Sequence, residues 1–348
     1  MSRRARGEPG GAEPQRLLQL VDSFRRARVL VLADLVADEF VYGRAQRLSR
    51  EAPVLILEHQ ATELRLGGGA NAVHNIRTLG GRALLQGALG ADDYGRRLRV
   101  LLHEAAVSLA GVRAERGHAT PVKSRVLAGG THSTKQQIVR IDRLQRLPRD
   151  SAARAAALAA LGDGAPRVDG VLVSDYGLGF VTPELVRAAV RFARARRVPI
   201  TVDSRYDLLA FRGMTAVTPN EPEVEAALGV TIGHDRARLE AAGRELVKRL
   251  RVKAVLITRG SDGMALFQPG ARPLHVPIWG GDEVADVTGA GDTVIATFTL
   301  ALAAGATPAE ACRLANYAGG IVVMKRGTAT ASADELREAV RAGASRRG

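Results

Sequence analysis

The run Asp286-Val287-Thr288-Gly289-Ala290-Gly291-Asp292-Thr293 holds the residues best able to do chemistry. It opens an apolar segment, 294–304, that reads as a buried helix. Gly289 and Gly291 remove side chains where the backbone must turn sharply. Their amides, with those of Ala290 and Asp292, are then expected at a helix N-terminus. Such an end presents unpaired N–H groups and partial positive charge, which suit a phosphate. Asp292 is the odd member, because a carboxylate beside bound phosphate is repelled. An obvious task for it is to take a proton from an attacking hydroxyl. Asp292 and Thr293 are also residue types that simply start helices.

Other candidates stand past the ends of apolar strands. Asp34 ends the run 28–34, where open α/β sheets place ligands, and Asp38 follows four residues later. Two such acids can accept hydrogen bonds from vicinal hydroxyls. Asp175 follows a strand over 168–173 in the same way. Gly67, Gly68 and Gly69 precede a helix expected over 72–79 and let a ligand approach the backbone, while Asn71 both donates and accepts. Lys123 and Arg125 lie two apart on a strand, 121–127, and so share a face. A paired cation face suits a phosphate, or is a solvated sheet face. Arg140 and Asp142 belong to the next strand pattern, from residue 136. Asn220 and Glu223, three apart at a helix start, can order water around Mg²⁺ or form a capping box, and both can hold at once.

These residues need a scaffold, and strands alternate with helices along the chain. That pattern predicts an α/β fold, a mostly parallel sheet with helices on both faces. Strand-like segments at about 38–66 and 120–142 interrupt it and predict a small separate sheet within one domain, 15–342. Residues 1–14, polar and without periodicity, read as a disordered tail, and 343–348 as a basic tail. There is no internal repeat.

The formal net charge of +14 raises the question of nucleic acid. The basic residues are scattered, and aromatics make up 4%, so stacking platforms for bases are scarce. Nucleic acid is therefore not expected as the main ligand. No stretch reaches 18 uninterrupted apolar residues and no apolar leader is visible, so neither a membrane span nor secretion is expected. The one cysteine, Cys312, sits in a helical apolar pattern and fits a reducing cytoplasm.

The eight-residue run resembles the second signature of the ribokinase-like (PfkB) sugar kinases. The Gly-rich segment before Asn71 resembles their first, and Asn220–Glu223 their magnesium-associated motif. The resemblance spans roughly residues 15–342 and implies the following. The fold is ribokinase-like, with the small sheet as a β lid over the sugar and often the contact of a homodimer. Gly289, Ala290 and Gly291 form an anion hole and Asp292 is the base. Asp34, Asp38, Gly68, Gly69, Asn71, Lys123, Arg125, Arg140, Asp142 and Asp175 face the sugar. Thr258, Gly260, Gly263 and Asn316 line ATP together with Asn220 and Glu223, which order Mg²⁺ through water. A monovalent cation, K⁺, sits beside Asp286 and Thr288.

Within the family the likeness is closest to the heptokinases, which phosphorylate heptose 7-phosphate to the 1,7-bisphosphate. It is carried by Asp38-Glu39-Phe40-Val41-Tyr42-Gly43, Lys123-Ser124-Arg125, Arg140-Ile141-Asp142, Ser174-Asp175-Tyr176-Gly177 and Thr218-Pro219-Asn220. The chain departs from that pattern at Ala33 (usually Gly), Arg50 (Pro), Leu178 (Lys) and Ser204-Arg205 (Pro-Lys). The expected activity is transfer of the γ-phosphate of Mg-ATP to a sugar hydroxyl, with no nucleotidyltransferase step. A kinase for another sugar or sugar phosphate is the alternative. From another class comes a non-catalytic sugar or nucleotide sensor, which sugar-dependent ATP turnover would exclude.

Overall fold

The computed structural model describes residues 12–129, 135–162, 166–280 and 285–345. Residues 1–11 of the expected tail and 346–348 of the basic tail lie outside the described residues. In chain order the first elements are α1 (Ala12–Ser23), β1 (Arg28–Ala33), β2 (Leu35–Leu48), β3 (Leu55–Gly68), α2 (Gly69–Thr78), β4 (Arg82–Gly90) and α3 (Asp93–Glu104). Next come β5 (Val112–Glu115), β6 (Val122–Gly129), β7 (Gln136–Arg143), α4 (Ala152–Ala159), β8 (Gly170–Asp175), α5 (Pro183–Arg196), β9 (Ile200–Ser204) and β10 (Ala216–Val217). The chain continues through α6 (Glu221–Leu228), α7 (Arg236–Leu250), β11 (Ala254–Thr258), β12 (Met264–Phe267) and β13 (Leu274–Val276). It closes with α8 (Ala290–Ala303), α9 (Pro308–Val323) and α10 (Ala333–Ser345).

The central sheet has the order β13-β12-β11-β10-β9-β8-β1-β4-β5. Every pairing from β11 to β5 is parallel, and only β12 and β13 are antiparallel. β1 and β8 are apolar and buried almost throughout, as strands covered on both faces must be. One core lies between the sheet and α1, α2, α8, α9 and α10, and the other between the sheet and α4, α5 and α7. Cys312 is fully buried in the first, where burial pushes its thiol up to about 12.

A second sheet has the order β3-β2-β6-β7. It joins the first through Asp34, the one residue between β1 and β2. At the end of the strand-like segment at 38–66, residues 55–68 form a single long strand, because β3 pairs along the whole of β2. Helix boundaries also differ from expectation. Residues 12–14 belong to α1, whose apolar face includes Leu17, Leu20 and Val21 in the first core. Residues 343–345 belong to α10, where Gly343 lets Tyr317 pack closely.

Capping chemistry explains several helix starts. Thr182 caps α5 and Pro183 occupies its first turn. Asn220 with Glu223, and Thr307 with Glu310, form capping boxes on α6 and α9.

Candidate active site

β1, β8 and β9 end side by side, and the first turn of α8 reaches the same edge of the sheet. The chain leaves β1 toward β4 on one side and reaches β8 on the other, the kind of switch point where parallel sheets hold ligands. Asp292, in the first turn of α8, is buried there. Its Oδ1 accepts the Tyr176 hydroxyl at 2.6 Å and its Oδ2 accepts the Asn71 side-chain amide at 3.1 Å. Burial pushes Asp292 up to about 6, against these two hydrogen bonds and the charge of Arg205. A buried carboxylate titrating near 6 is suited to accept a proton at neutral pH.

The backbone before Asp292 fits the expected anion site with one correction. Gly289 is left-handed, with φ +80°. The Ala290 amide is not free, since it donates to the Val287 carbonyl at 3.2 Å. The turn that brings the chain into α8 uses that donor. Among the described residues, the amides of Gly289, Gly291 and Asp292 have no backbone acceptor. A Cβ on Gly291 would meet nothing within 4 Å, so this surface is open to a ligand.

One face of the small sheet looks toward this edge. Register places Arg65, Asp38, Lys123 and Asp142 in one row and Glu63, Phe40, Arg125 and Arg140 in the next. Lys123 and Arg125 share a face as expected, but only Lys123 keeps its charge available. Arg125 is buried against Asp38 at 2.7 Å and lies over the Phe40 ring. The other Asp38 oxygen accepts Thr328 Oγ1 at 2.7 Å. A buried charge needs such partners, so Asp38 and Arg125 are bound to each other rather than presented to solvent. Arg140 and Asp142 neutralise each other on edge strand β7 at 2.9 Å.

Asp34 and Asp175 are both engaged by the loop after β8. Asp34 accepts the amides of Tyr176, Leu178 and Phe180 at 2.9, 3.0 and 3.0 Å. Asp175 accepts the Gly177 amide at 2.9 Å and Ser204 Oγ at 2.7 Å. Both shape the loop after β8. Burial, then the charge of Asp175, pushes Asp34 up to about 6 against its three amide bonds. Gly68 and Gly69 are packing glycines. A Cβ on Gly69 would stand 2.3 Å from the Cβ of Ala33, and one on Gly68 would stand 3.0 Å from Val36. Close approach of α2 to β1 is what carries Asn71 to Asp292.

Sequence reasoning singled out Arg205 only as a departure from the family's lysine, and it missed the contact of Tyr176 with Asp292. Tyr176 follows β8 and Arg205 follows β9, the same position relative to a strand that singled out Asp34. The Tyr176 ring has Arg205 at 4.4 Å and Lys123 Nζ at 4.9 Å from its centroid. Leu178 closes a small apolar cluster with Tyr176 and Val36.

Beyond α8 lies a cavity of about 170 Å³ lined by Thr258, Gly260, Gly263, Val287, Gly291 and Asn316, among others. It adjoins the open amides and has the apolar walls a purine needs. Asn316 borders it while donating to the Pro277 carbonyl at 2.9 Å. Asn220 and Glu223 stand between cavity and base. Each side chain caps the other's backbone amide, at 2.8 and 2.9 Å. Burial first, and Glu223 second, push the Asp203 carboxyl well above the usual range, and burial also raises Glu223. Crowded acids of this kind fit a hydrated divalent cation. Asp286 accepts the amides of Thr288 at 2.9 Å and Gly327 at 3.0 Å, stapling two loops together.

This geometry agrees with what the chain is similar to. The model of the pfkB family carbohydrate kinases matches residues 34–335. The chain is 38% identical over 314 residues to the bifunctional protein HldE of Syntrophotalea carbinolica, covering 90% of this chain and 63% of that one. It is 41% identical over 321 residues to HldE of Caulobacter sp. strain K31, covering 92% and 64%. The chain thus spans less than two thirds of the length of these relatives. Among solved structures, Arabidopsis thaliana ribokinase complexed with ribose and ATP aligns with a TM-score of 0.69 at 20% identity, over 90% of this chain and 98% of that one. Escherichia coli phosphofructokinase-2 in complex with potassium aligns with a TM-score of 0.70 at 21% identity, over 92% and 99%. These two likenesses carry the fold, an α/β ribokinase-type sheet, and the sequence match carries the rest. With a buried carboxylate at an open helix end and a family match over most of its length, this chain belongs to the pfkB family of carbohydrate kinases, phosphotransferases that act on a sugar hydroxyl.

Proposed function

We propose that the chain phosphorylates a sugar that already carries a phosphate, with heptose 7-phosphate to heptose 1,7-bisphosphate as the leading reaction. The observation that carries this reading is the pair Lys123 and Arg205 beside the base. Both lie within 5 Å of the Tyr176 ring centroid. Among the described residues neither forms an ion pair. Burial first, and Arg205 second, hold the Lys123 ammonium below its ordinary range. Two crowded cations of this kind suit a phosphate dianion. The heptokinase-like motifs and the similarity to HldE proteins supply the choice of heptose.

ATP lies with its base in the cavity and its phosphates at the amides of Gly289, Gly291 and Asp292. Asp292 takes the proton of the attacking hydroxyl. That oxygen bonds to the γ-phosphorus as the bond to the β-phosphate oxygen breaks, and ADP leaves. The helix end stabilises charge on the transferring group. Magnesium, when bound, neutralises phosphate charge, and Asn220 and Glu223 would hold its water shell. A monovalent cation beside Asp286 and Thr288 fits a carboxylate held by neutral amides. The small sheet acts as a lid that excludes water from the transfer. Its edge strand β7, with Ile138 and Ile141 exposed, is the proposed homodimer contact. Among the described residues no helix is long and apolar enough to cross a membrane.

The test is ADP release from Mg-ATP against heptose 7-phosphate, fructose 1- and 6-phosphates, and free ribose, fructose and mannose. Selective turnover of heptose 7-phosphate is expected. Turnover of unphosphorylated sugars alone would reject the Lys123–Arg205 reading and assign the apolar wall at Leu178 to a different acceptor. Absence of turnover with every sugar would favour the sensor.

A further inference from the structure

Tyr176 belongs to neither of the glycine-rich motifs, yet it touches the base. Its hydroxyl donates to Asp292 Oδ1 at 2.6 Å. Arg205 donates to that same hydroxyl oxygen at 3.5 Å and stacks on the ring. With a guanidinium on its lone pair, the phenol has Asp292 as the acceptor for its single proton. Asn71 donates to the second carboxylate oxygen. Asn71 is itself oriented, because Asn75 Nδ2 donates to its Oδ1 at 3.2 Å and leaves its NH₂ to face the base. Asn75 in turn accepts the Ala331 amide.

We infer that Tyr176 is the positioning residue of the base: its hydroxyl fixes the plane of Asp292 and holds it as a carboxylate, ready for the substrate's proton. The inference rests on the proposed role of Asp292. Two donors, one on each oxygen, leave each oxygen with lone-pair capacity for the incoming hydroxyl. A donated hydrogen bond favours the charged form, and here it opposes the strong effect of burial. Burial, then the charge of Asp292, holds the Tyr176 phenol well above its ordinary range, so it stays a donor. The other charged groups facing the pair are Asp38 on β2, Lys123 on β6, Asp203 on β9 and Arg205 just beyond it. Among these neighbours the phenol makes the shortest contact with the carboxylate, at 2.6 Å.

The experiment is the pH profile of kcat/KM for the wild type, for Tyr176→Phe, and for enzyme carrying 3,5-difluorotyrosine at position 176. The acceptor is whichever sugar of the panel above is turned over, and Asp292→Asn is assayed alongside. Tyr176→Phe should move the acid limb up by about one pH unit, the scale of one hydrogen bond to a charged group, and lower kcat about tenfold. The KM for ATP should hold. Difluorotyrosine is a stronger donor of nearly the same size, so its acid limb should move down. A purely structural tyrosine would move neither. Acid limbs that coincide with the wild type overturn the inference, and the fluorinated enzyme decides the question even if Tyr176→Phe fails to fold. An Asp292→Asn loss under tenfold overturns the base assignment instead, whatever the tyrosine variants do.

Discussion

Asn71 and Asp292 are joined by one hydrogen bond of 3.1 Å across 221 positions of sequence. The first turn of α2 and the first turn of α8 therefore meet at a single carboxylate. Gly289 makes the meeting possible. A Cβ there would stand 2.5 Å from Asn71 Nδ2.

Gly289→Ala should therefore damage both fold and catalysis. The left-handed backbone at φ +80° and the clash with Asn71 cost roughly 1–3 kcal/mol, and kcat should fall at least about tenfold. Gly291→Ala is the contrast, since its Cβ enters open space. It should melt like the wild type and raise the KM for ATP. Equal melting temperatures for the two variants would contradict this reading.

Asp292→Asn should lower kcat by about 10²–10⁴-fold, the range for loss of a general base, with the far-UV circular dichroism unchanged. Retention of ATP binding, measured calorimetrically, would place the loss in chemistry rather than in nucleotide affinity.

The raised Asp292 also predicts how stability responds to pH. Its folded value of about 6 exceeds the unfolded 3.8, so the folded state binds the proton more tightly. Its contribution to stability is fully present below about 4 and is lost as pH rises through 6. Asp292→Asn removes that loss. Relative to the wild type, its Tm should gain a few degrees between pH 4 and 7. A Tm difference that stays constant across that window would show that Asp292 does not titrate there.

Asn220 has two roles that separate by substitution. Asn220→Ala removes an N-cap, at about 1 kcal/mol, and should raise the magnesium needed for half-maximal rate. Asn220→Ser keeps a capping oxygen, so it should restore the melting temperature while the magnesium requirement stays high. A Ser variant that restores both would reduce Asn220 to a cap.

The architecture was legible in the sequence because parallel strands buried on both faces are near-continuous apolar runs, as in β1 and β8. Asp292, its glycines and Asn71 were legible as motifs. The protein partners of Asp34, Asp38, Asp175 and Arg125 were not, because an acid past a strand end looks the same whether it faces a ligand or a backbone amide. Only the fold shows that the loop after β8 curls back onto Asp34, or that Asp38 lies opposite Arg125. The grouping of Tyr176 with Arg205 was hidden for a related reason. Their importance comes from a three-way contact with Lys123 across three strands of two sheets, and no local pattern encodes it.

Asp34 is the whole of the connection between β1 and β2, and it also grips the loop that carries Tyr176. The first crossing from the large sheet to the small one passes through a residue tied to the amides of Tyr176, Leu178 and Phe180. On one side β2 pairs Asp38 with Lys123, and on the other the loop carries the hydroxyl against Asp292. One residue therefore ties the start of the small sheet to the loop whose hydroxyl meets Asp292.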